Sequence, residues 1–267
     1  SRVMFFFFLI KTNTLKFYFI LMIVLLSGCT KEGLSQKEIE KYLGGTWQIE
    51  TQNGIEQTTD ALVVLTYDMS SRKEKSTFLT DKITGRPESA HNMLSFTLNG
   101  DEITMEGTGA DGKECKKIYK ITYIDEDRYV IDVQQIIIDG VDINIKATEV
   151  YKRVKKDYST DILGTWSGVT AANPAYGDEN HIWEYLPDGN YYYYEKHGDE
   201  WEPKASHYCK YVVHGTWLVS YWHNIGEGEV PCAECWNIDY IENGKMKWSR
   251  ISAAGESSSF QFNRAEK

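Results

Sequence analysis

The sequence predicts an all-β protein with two tandem, small, antiparallel up-and-down β-barrels of about eight strands each, behind an export segment. Three observations carry this prediction. They are a repeated Gly-Thr-Trp motif, a succession of short alternating segments joined by turn residues, and an apolar run near the start of the chain. The 18 Tyr, 10 Phe and 8 Trp residues also favour strands, because aromatic side chains fit a pleated, half-buried surface.

The repeat defines two copies of one domain plan. Gly45-Thr46-Trp47 recurs as Gly164-Thr165-Trp166, and a short segment that can form a helical turn precedes each copy. Roughly a hundred residues later each copy ends in an aromatic strand that closes on arginine, at Tyr151-Lys152-Arg153 and at Phe262-Asn263-Arg264. The predicted domains are residues 42–153 and 161–267, joined by a short charged linker at 154–160.

The segments between these ends predict strands in hairpin order. Asn99-Gly100 and Asp139-Gly140 are dipeptides that suit type I′ turns, in which both residues take positive φ. Two β-sandwiches remain the alternative, although their long Greek-key connections are not evident. The predicted strands are Gly45–Glu50, Ala61–Tyr67, Lys75–Thr80, Asn92–Leu98, Glu102–Glu106, Lys116–Ile124, Arg128–Ile138 and Val141–Arg153, then His181–Leu186, Tyr191–Lys196, His207–Val213, Thr216–Trp222, Glu234–Ile241, Met246–Ser252 and Ser258–Arg264.

This plan resembles the lipocalin, or calycin, plan, and in particular the small lipocalin-like domains of bacterial lipoproteins. The resemblance rests on Gly-Thr-Trp opening each copy and arginine closing it. It implies that Trp47 and Trp166 plug the closed ends of the barrels, with Arg153 and Arg264 lying over them. These residues are structural and imply no activity.

The start of the chain is typical of an exported lipoprotein. Residues 1–28 contain bases but no acid, and the apolar run Phe17–Leu26 is shorter than the about 20 residues that span a bilayer. Leu26-Ser27-Gly28-Cys29 resembles the bacterial lipobox, which implies a lipidated Cys29 followed by a tether at 29–41. We therefore expect lipid to anchor the protein in the cell envelope, in the outer membrane of a Gram-negative bacterium. The sequence leaves open whether the protein faces the periplasm or the cell surface. Residues 1–14 are expected to precede a true start at Leu15.

The composition and the absence of several motifs argue against some classes of function. The 39 acidic residues outnumber the 29 basic ones, which argues against nucleic acid as a partner. Glycine-rich phosphate loops, Gly-x-Ser-x-Gly and His-Glu-x-x-His are absent from the sequence. We therefore expect no cofactor and no enzymatic activity. An enzyme that acts on a glycan through a pair of carboxylates is the third alternative, after the two non-enzymatic functions described next.

Aromatic residues concentrate in the second copy, which contains seven of the eight tryptophans and the run Tyr191–Tyr194. Alternation should point one tyrosine pair into the barrel, where rings suit a small apolar or carbohydrate ligand. The alternative is a filled barrel in an envelope scaffold protein that contacts a partner through Ala171–Asn180 and Gln52–Asp60. The candidate ligand-binding residues are Tyr191, Tyr193, Trp183, Trp217 and Trp248.

The cysteines leave three interpretations open, which are a metal site, a disulfide and thiols with no special role. His207, Cys209, Cys232 and Cys235 include a Cys-x-x-Cys pair at a spacing compatible with zinc. An oxidising compartment favours a disulfide instead, and the pairing among these cysteines and Cys115 stays undetermined.

Overall fold

The structure is a computed structural model that describes residues 33–79, 91–109, 111–170, 181–197, 200–203, 209–223, 231–252 and 254–265. The export segment and Cys29 lie outside these residues. In the described part the protein is all-β, with two antiparallel barrel-like sheets, which confirms the predicted fold class. None of the helices in this part is long and apolar enough to cross a membrane.

The first sheet follows a short helix, α1 (Gln36–Tyr42), that begins with a capping box formed by Ser35 and Glu38. Strand β8 pairs with β10, so eight strands form a closed ring, and the two-residue strands β2 and β9 extend it. The strands are β1 (Gly45–Gln52), β2 (Ile55–Glu56), β3 (Val63–Asp68), β4 (Lys73–Phe78), β5 (His91–Asn99), β6 (Glu102–Thr108), β7 (Glu114–Ile124), β8 (Arg128–Ile138), β9 (Val141–Asp142) and β10 (Thr148–Val154).

The second sheet repeats this arrangement. The amides of Tyr191 and Tyr211 donate to the carbonyls of Cys209 and Gly189, at 3.0 and 2.9 Å, and so join β13 to β15 and complete the ring. Strand β14 lies outside the ring and pairs with β13. The strands are β11 (Gly164–Thr170), β12 (His181–Tyr185), β13 (Tyr191–His197), β14 (Glu200–Pro203), β15 (Lys210–His214), β16 (Trp217–His223), β17 (Pro231–Glu242), β18 (Lys245–Ile251) and β19 (Ser257–Arg264).

Two local predictions need correction. The predicted strand Val141–Arg153 is interrupted between β9 and β10, where Asn144 has φ +52° and its amide donates to the Asp142 side chain. The turn between β5 and β6 uses Gly100 and Asp101, with positive φ only at Gly100, because Asn99 still pairs with Glu102. The type I′ prediction for Asn99-Gly100 is therefore wrong, whereas both residues of Asp139-Gly140 have positive φ as expected.

One end of each barrel is covered by an arginine lying on a buried tryptophan. The Arg153 guanidinium is 4.0 Å from the centroid of Trp47, and Arg264 is 4.1 Å from that of Trp166. Each indole N–H donates to a carbonyl four residues earlier, at 2.8 Å for Trp47 and 2.6 Å for Trp166. Each arginine also donates to carbonyls in the segment before the Gly-Thr-Trp motif, including that of Gly44 at 2.8 Å.

The glycine of the motif is required by this contact. Gly45 and Gly164 both have φ +110°, a conformation that side chains rarely adopt. A Cβ atom at either position would also collide with the guanidinium of Arg153 or Arg264. Glycine therefore lets the arginine approach the indole.

The two barrels pack on each other through polar contacts made by the outer face of β15 and β16. The imidazole of His214 hydrogen-bonds to the hydroxyls of Thr66 (2.6 Å) and Thr77 (2.7 Å) on the first barrel. Trp217 is fully buried and donates from Nε1 to the carbonyl of Thr59 at 3.1 Å. The 3₁₀ turn Thr59–Ala61 of the first barrel thus lies against the second, within the compact unit Ser35–Lys267.

We expect Arg153→Met to lower the free energy of unfolding by about 2–4 kcal/mol, because the cation–π contact and the hydrogen bonds to carbonyls are lost together. Urea unfolding followed by circular dichroism measures this change. The exposed Arg128, changed to Met, is the matched control and should stay within about 0.5 kcal/mol of the wild type. Equal effects of the two substitutions would contradict a stabilising role for the Trp47–Arg153 contact.

Candidate functional site

The interior of the second barrel is lined with aromatic rings because inward positions on neighbouring strands coincide. Trp166 on β11 lies opposite Trp183 on β12, which lies opposite Tyr193 on β13. The same alternation directs Trp248 and Phe260 inward from β18 and β19. The buried cluster comprises Tyr158, Ile162, Trp166, Tyr185, Tyr191, Cys209, Tyr211, Leu218, Trp236, Ile238, Met246, Trp248 and Phe262.

The rings contact one another edge to face and in tilted pairs. Trp248 lies 4.2 Å from Phe262 between ring centroids, and Trp183 lies 5.0 Å from Tyr193. Trp236 meets Phe260 at 5.0 Å with an interplanar angle of 89°. Such arrangements contribute about 0.5–1.5 kcal/mol per pair beyond the burial of area. These rings therefore form one rigid cluster inside the second barrel. We call this cluster, which comprises Trp183, Tyr193, Trp236, Trp248, Phe260, Phe262 and the buried residues around them, the aromatic floor.

Two polar groups within this floor lack a hydrogen-bond partner. The indole nitrogen of Trp248 and the hydroxyl of Tyr185 are both inaccessible to solvent, and neither is hydrogen-bonded at normal geometry. Most buried polar groups in folded proteins are paired, because an unpaired one costs about 1–3 kcal/mol. The Trp248 N–H is therefore a donor available to an acceptor that enters the barrel.

Charged and polar side chains lie beside the aromatic floor. Arg250 donates from Nη1 to Glu234 at 2.7 Å, and its guanidinium lies 5.4 Å from the Trp236 ring centroid. Its second nitrogen is 3.3 Å from Asp60 of the first barrel. Partial burial raises the pKa of the Glu234 carboxyl, and the positive charge of Arg250 opposes that rise. His181 stacks on Tyr193 at 5.6 Å and hydrogen-bonds to its hydroxyl.

Four of the five candidate ligand-binding residues come together and one does not. Tyr191, Tyr193, Trp183 and Trp248 face the barrel interior, as the alternation required. Trp217 lies on the outer face of β16, where it contacts the first barrel, so it belongs to the interface and not to the interior.

The tyrosine run divides as alternation requires. Tyr192 is 46% exposed on the outer face, and Tyr194 on the same face donates to Glu184 at 3.0 Å. The inward pair is therefore Tyr191 and Tyr193.

The proposed metal-binding residues are only partly within the described chain. Cys209 is in the interior cluster, whereas Cys235 is on the opposite face of its strand, beside Trp217 and Val219, so these two thiols cannot bind one ion. His207 and the side chain of Cys232 lie outside the part of the chain that the structure describes. Among the described residues, no group of three or more His, Cys, Asp or Glu side chains is arranged to hold a metal. Cys115 and Cys235 are free thiols.

Sequence reasoning missed the polar groups beside the aromatic floor. Glu234 and Trp236 are two apart on one strand, and therefore share a face, which is a signal that the alternation of β17 contains. The contact of Arg250 with Asp60 joins residues 190 positions apart, and no local pattern predicts it.

Comparisons with known proteins give little further information. No family model matches the sequence, and no curated protein matches it. A crystal structure of a protein of unknown function of the DUF3598 family, from Nostoc punctiforme PCC 73102, is similar at 11% identity, over 85% of this chain and 97% of that chain, with a TM-score of 0.23. A likeness at that TM-score supports no conclusion about fold or function.

We expect Arg250→Leu to lose more stability at pH 7 than at pH 4. Without Arg250, the native pKa of Glu234 rises further above its value of about 4.3 in the unfolded chain. A carboxyl whose native pKa is raised binds more protons when folded, so stability falls as the pH rises through that interval. Urea unfolding at both pH values measures this, and solvent screening keeps the difference to about 1 kcal/mol.

The triple substitution Asp60→Asn, Glu234→Leu and Arg250→Leu is the control, because it removes both carboxylates that Arg250 contacts. It should lose the same stability at both pH values. An Arg250→Leu variant with no difference between pH 4 and pH 7 would contradict the electrostatic coupling of the pair.

Proposed function

We propose that this protein is a non-catalytic, lipid-anchored envelope protein of lipocalin-like type that binds a small ligand in its second barrel. The single observation that carries the ligand proposal is the buried Trp248 indole N–H, which lacks an acceptor in the middle of an aromatic floor. A ligand oxygen would supply that acceptor. Lipocalin-like function is compatible with two closed barrels, each of which has an interior of its own.

The chemistry of the interior favours a ligand with a flat or ring-shaped apolar face and at least one oxygen. Trp183, Trp236 and Phe260 present ring faces and edges on which an aromatic molecule or the apolar face of a sugar can stack. The neighbouring Glu234–Arg250 pair offers both hydrogen-bond acceptors and donors. A carbohydrate or an oxygenated aromatic compound meets both requirements.

A second candidate function is that of an envelope scaffold with filled barrels. The observation that favours it is the dense packing around Tyr185, whose ring lies 4.8 Å from Tyr211 and 5.7 Å from Tyr191. Part of the segment Gln52–Asp60, expected to contact a partner, is engaged inside the molecule, because Thr59 bonds to Trp217 and Ile251 of the second barrel. The other segment expected to contact a partner, Ala171–Asn180, lies outside the described residues.

The membrane anchor is supported by the sequence around Cys29. The apolar run Phe17–Leu26 and the lipobox-like Leu26-Ser27-Gly28-Cys29 precede the globular unit, which begins at Ser35. Two or more acyl chains on Cys29 would give stable attachment, because each buried CH₂ contributes about 0.8 kcal/mol and one chain alone binds weakly.

We expect Trp248→Phe to weaken binding of p-nitrophenyl β-glucoside, a probe that carries an aromatic ring and sugar oxygens. Phenylalanine keeps a ring in the floor but removes the N–H donor, so affinity should fall about tenfold. Isothermal titration calorimetry measures the dissociation constant. Trp217→Phe is the matched control, because Trp217 donates to Thr59 at the interface between barrels, and its binding should match the wild type.

Equal losses in the Trp248 and Trp217 variants would contradict a ligand site in the second barrel. Absence of saturable binding to the wild type, for this probe and for the corresponding free sugar and free p-nitrophenol, would favour the scaffold function instead.

We expect Cys29→Ser to move the protein from the membrane fraction to the soluble fraction, because serine lacks the thiol that accepts the lipid. Metabolic labelling with palmitate followed by cell fractionation measures both effects. Cys115→Ser is the control, because Cys115 is a buried thiol of the first barrel and should leave labelling unchanged. Palmitate labelling that persists in the Cys29 variant would contradict anchoring at this residue.

A further inference from the structure

The interior of the first barrel contains two carboxylates, in contrast to the aromatic interior of the second. Glu74 on β4 lies opposite Tyr67 and Leu94, which are both core residues of the barrel. Glu149 on β10 lies opposite Ile131, which is also fully buried. Strand alternation therefore directs both side chains inward.

Glu149 is half-buried, and both of its carboxylate oxygens have hydrogen-bond partners. Gln52 donates from Nε2 to one oxygen at 2.9 Å, and the hydroxyl of Tyr151 donates to the other at 2.7 Å. These bonds account for the presence of one acidic group among apolar neighbours.

Glu74 has no such partners. Its side chain is completely buried, and neither carboxylate oxygen has a hydrogen-bond partner at normal geometry. The hydroxyl of Ser76, two residues along on the same face, is likewise buried and unpaired. Lys117 is near enough for its charge to act on Glu74, but Glu74 is in none of the ion pairs of the described residues. Two carboxylate oxygens and a hydroxyl, all without a hydrogen-bond partner at normal geometry, therefore lie side by side on the inward face of β4.

The surroundings of Glu74 suit a cation. Tyr67 lies opposite Glu74 in the strand register, and its ring packs edge to face against Phe96 at 5.4 Å and against Tyr129 at 6.1 Å, so aromatic rings of the kind that attract cations line the same interior. Tyr119 is also buried within electrostatic range of Glu74. Burial raises the pKa of the Glu74 carboxyl because its charged form loses hydration, and the positive charge of Lys117 opposes that rise.

We infer that the first barrel holds a second binding site, for the ammonium group of a small primary amine, with Glu74 as its acceptor. An ammonium supplies both the positive charge and up to three N–H donors, which match the two oxygens of Glu74 and the hydroxyl of Ser76. A quaternary ammonium has no N–H donor and satisfies none of these acceptors. This site is independent of the ligand proposed for the second barrel.

The test uses n-butylammonium chloride as the probe, with isothermal titration calorimetry and thermal unfolding as the measurements. The wild type should bind the probe and unfold at a higher temperature in its presence. Glu74→Gln, which keeps the shape but not the charge, should bind about tenfold to a hundredfold more weakly. Tetramethylammonium should bind the wild type more weakly than butylammonium does.

Glu234→Gln is the matched control, because it neutralises a carboxylate of the other barrel and should leave butylammonium binding unchanged. Without the probe, Glu74→Gln should unfold at the wild-type temperature or above it, because the variant no longer buries an unpaired carboxylate. The ligand site proposed for the second barrel is tested separately, by binding of p-nitrophenyl β-glucoside to the wild type and to Trp248→Phe. A negative result in that experiment is therefore distinguishable from a negative result with butylammonium.

The pH dependence of binding to the wild type tests the same site without any substitution. Affinity for butylammonium should rise from about pH 4.5 towards pH 8 as Glu74 ionises. Three results would overturn the inference. They are absence of binding and of thermal stabilisation by butylammonium, equal affinity of Glu74→Gln and the wild type, and an affinity that is flat across this pH range.

Discussion

An indole ring held beneath a guanidinium joins the first strand of each barrel to the last, and the rest of the structure depends on this contact. Trp47 pairs in register with Arg153, and Trp166 with Arg264, so the side chains that stack are also neighbours across the strands that close each sheet. Pairing of the first strand with the last shortens the unpaired edge that an open sheet would expose to aggregation. The glycine before each tryptophan is part of the same contact, because any larger residue would displace the arginine.

Closure also decides which face of every strand is interior, and the two barrels use that interior differently. In the second barrel the inward positions hold tryptophan, tyrosine and phenylalanine in mutual contact. In the first barrel aromatic residues share the interior with Glu74 and Glu149. One architectural plan thus encloses an aromatic floor in one copy and a carboxylate-containing interior in the other. This difference is the physical basis for proposing two kinds of ligand.

The ring order and most strands could be predicted from sequence, because period-two alternation and turn residues are local signals. The strand Arg128–Ile138 has the predicted bounds, and the chemistry of the Asp139-Gly140 turn follows from its two residues. Trp217 shows where this reasoning stops. Its burial could be expected, but the outer face of β16 is buried only because another barrel covers it.

Glu74 shows that the inward or outward direction of a charged residue is equally hard to predict from the sequence. An acidic residue in the strand Lys73–Phe78 looks like solvent-facing charge in the sequence, since lysines flank it. Only the pairing of β4 with β3 and β5 turns it towards Tyr67 and Leu94. Long-range pairing, and not local propensity, therefore determines the residues that carry the proposed chemistry.

Native mass spectrometry of the chain from residue 30 onward, purified without denaturation, tests most directly whether the barrels hold ligands. We predict a mass excess over the polypeptide that disappears when the protein is denatured, and the excess mass would identify the chemical class of the ligand. A native mass equal to that of the bare polypeptide, for protein isolated from its own cells without dialysis, would contradict bound ligands and favour filled barrels.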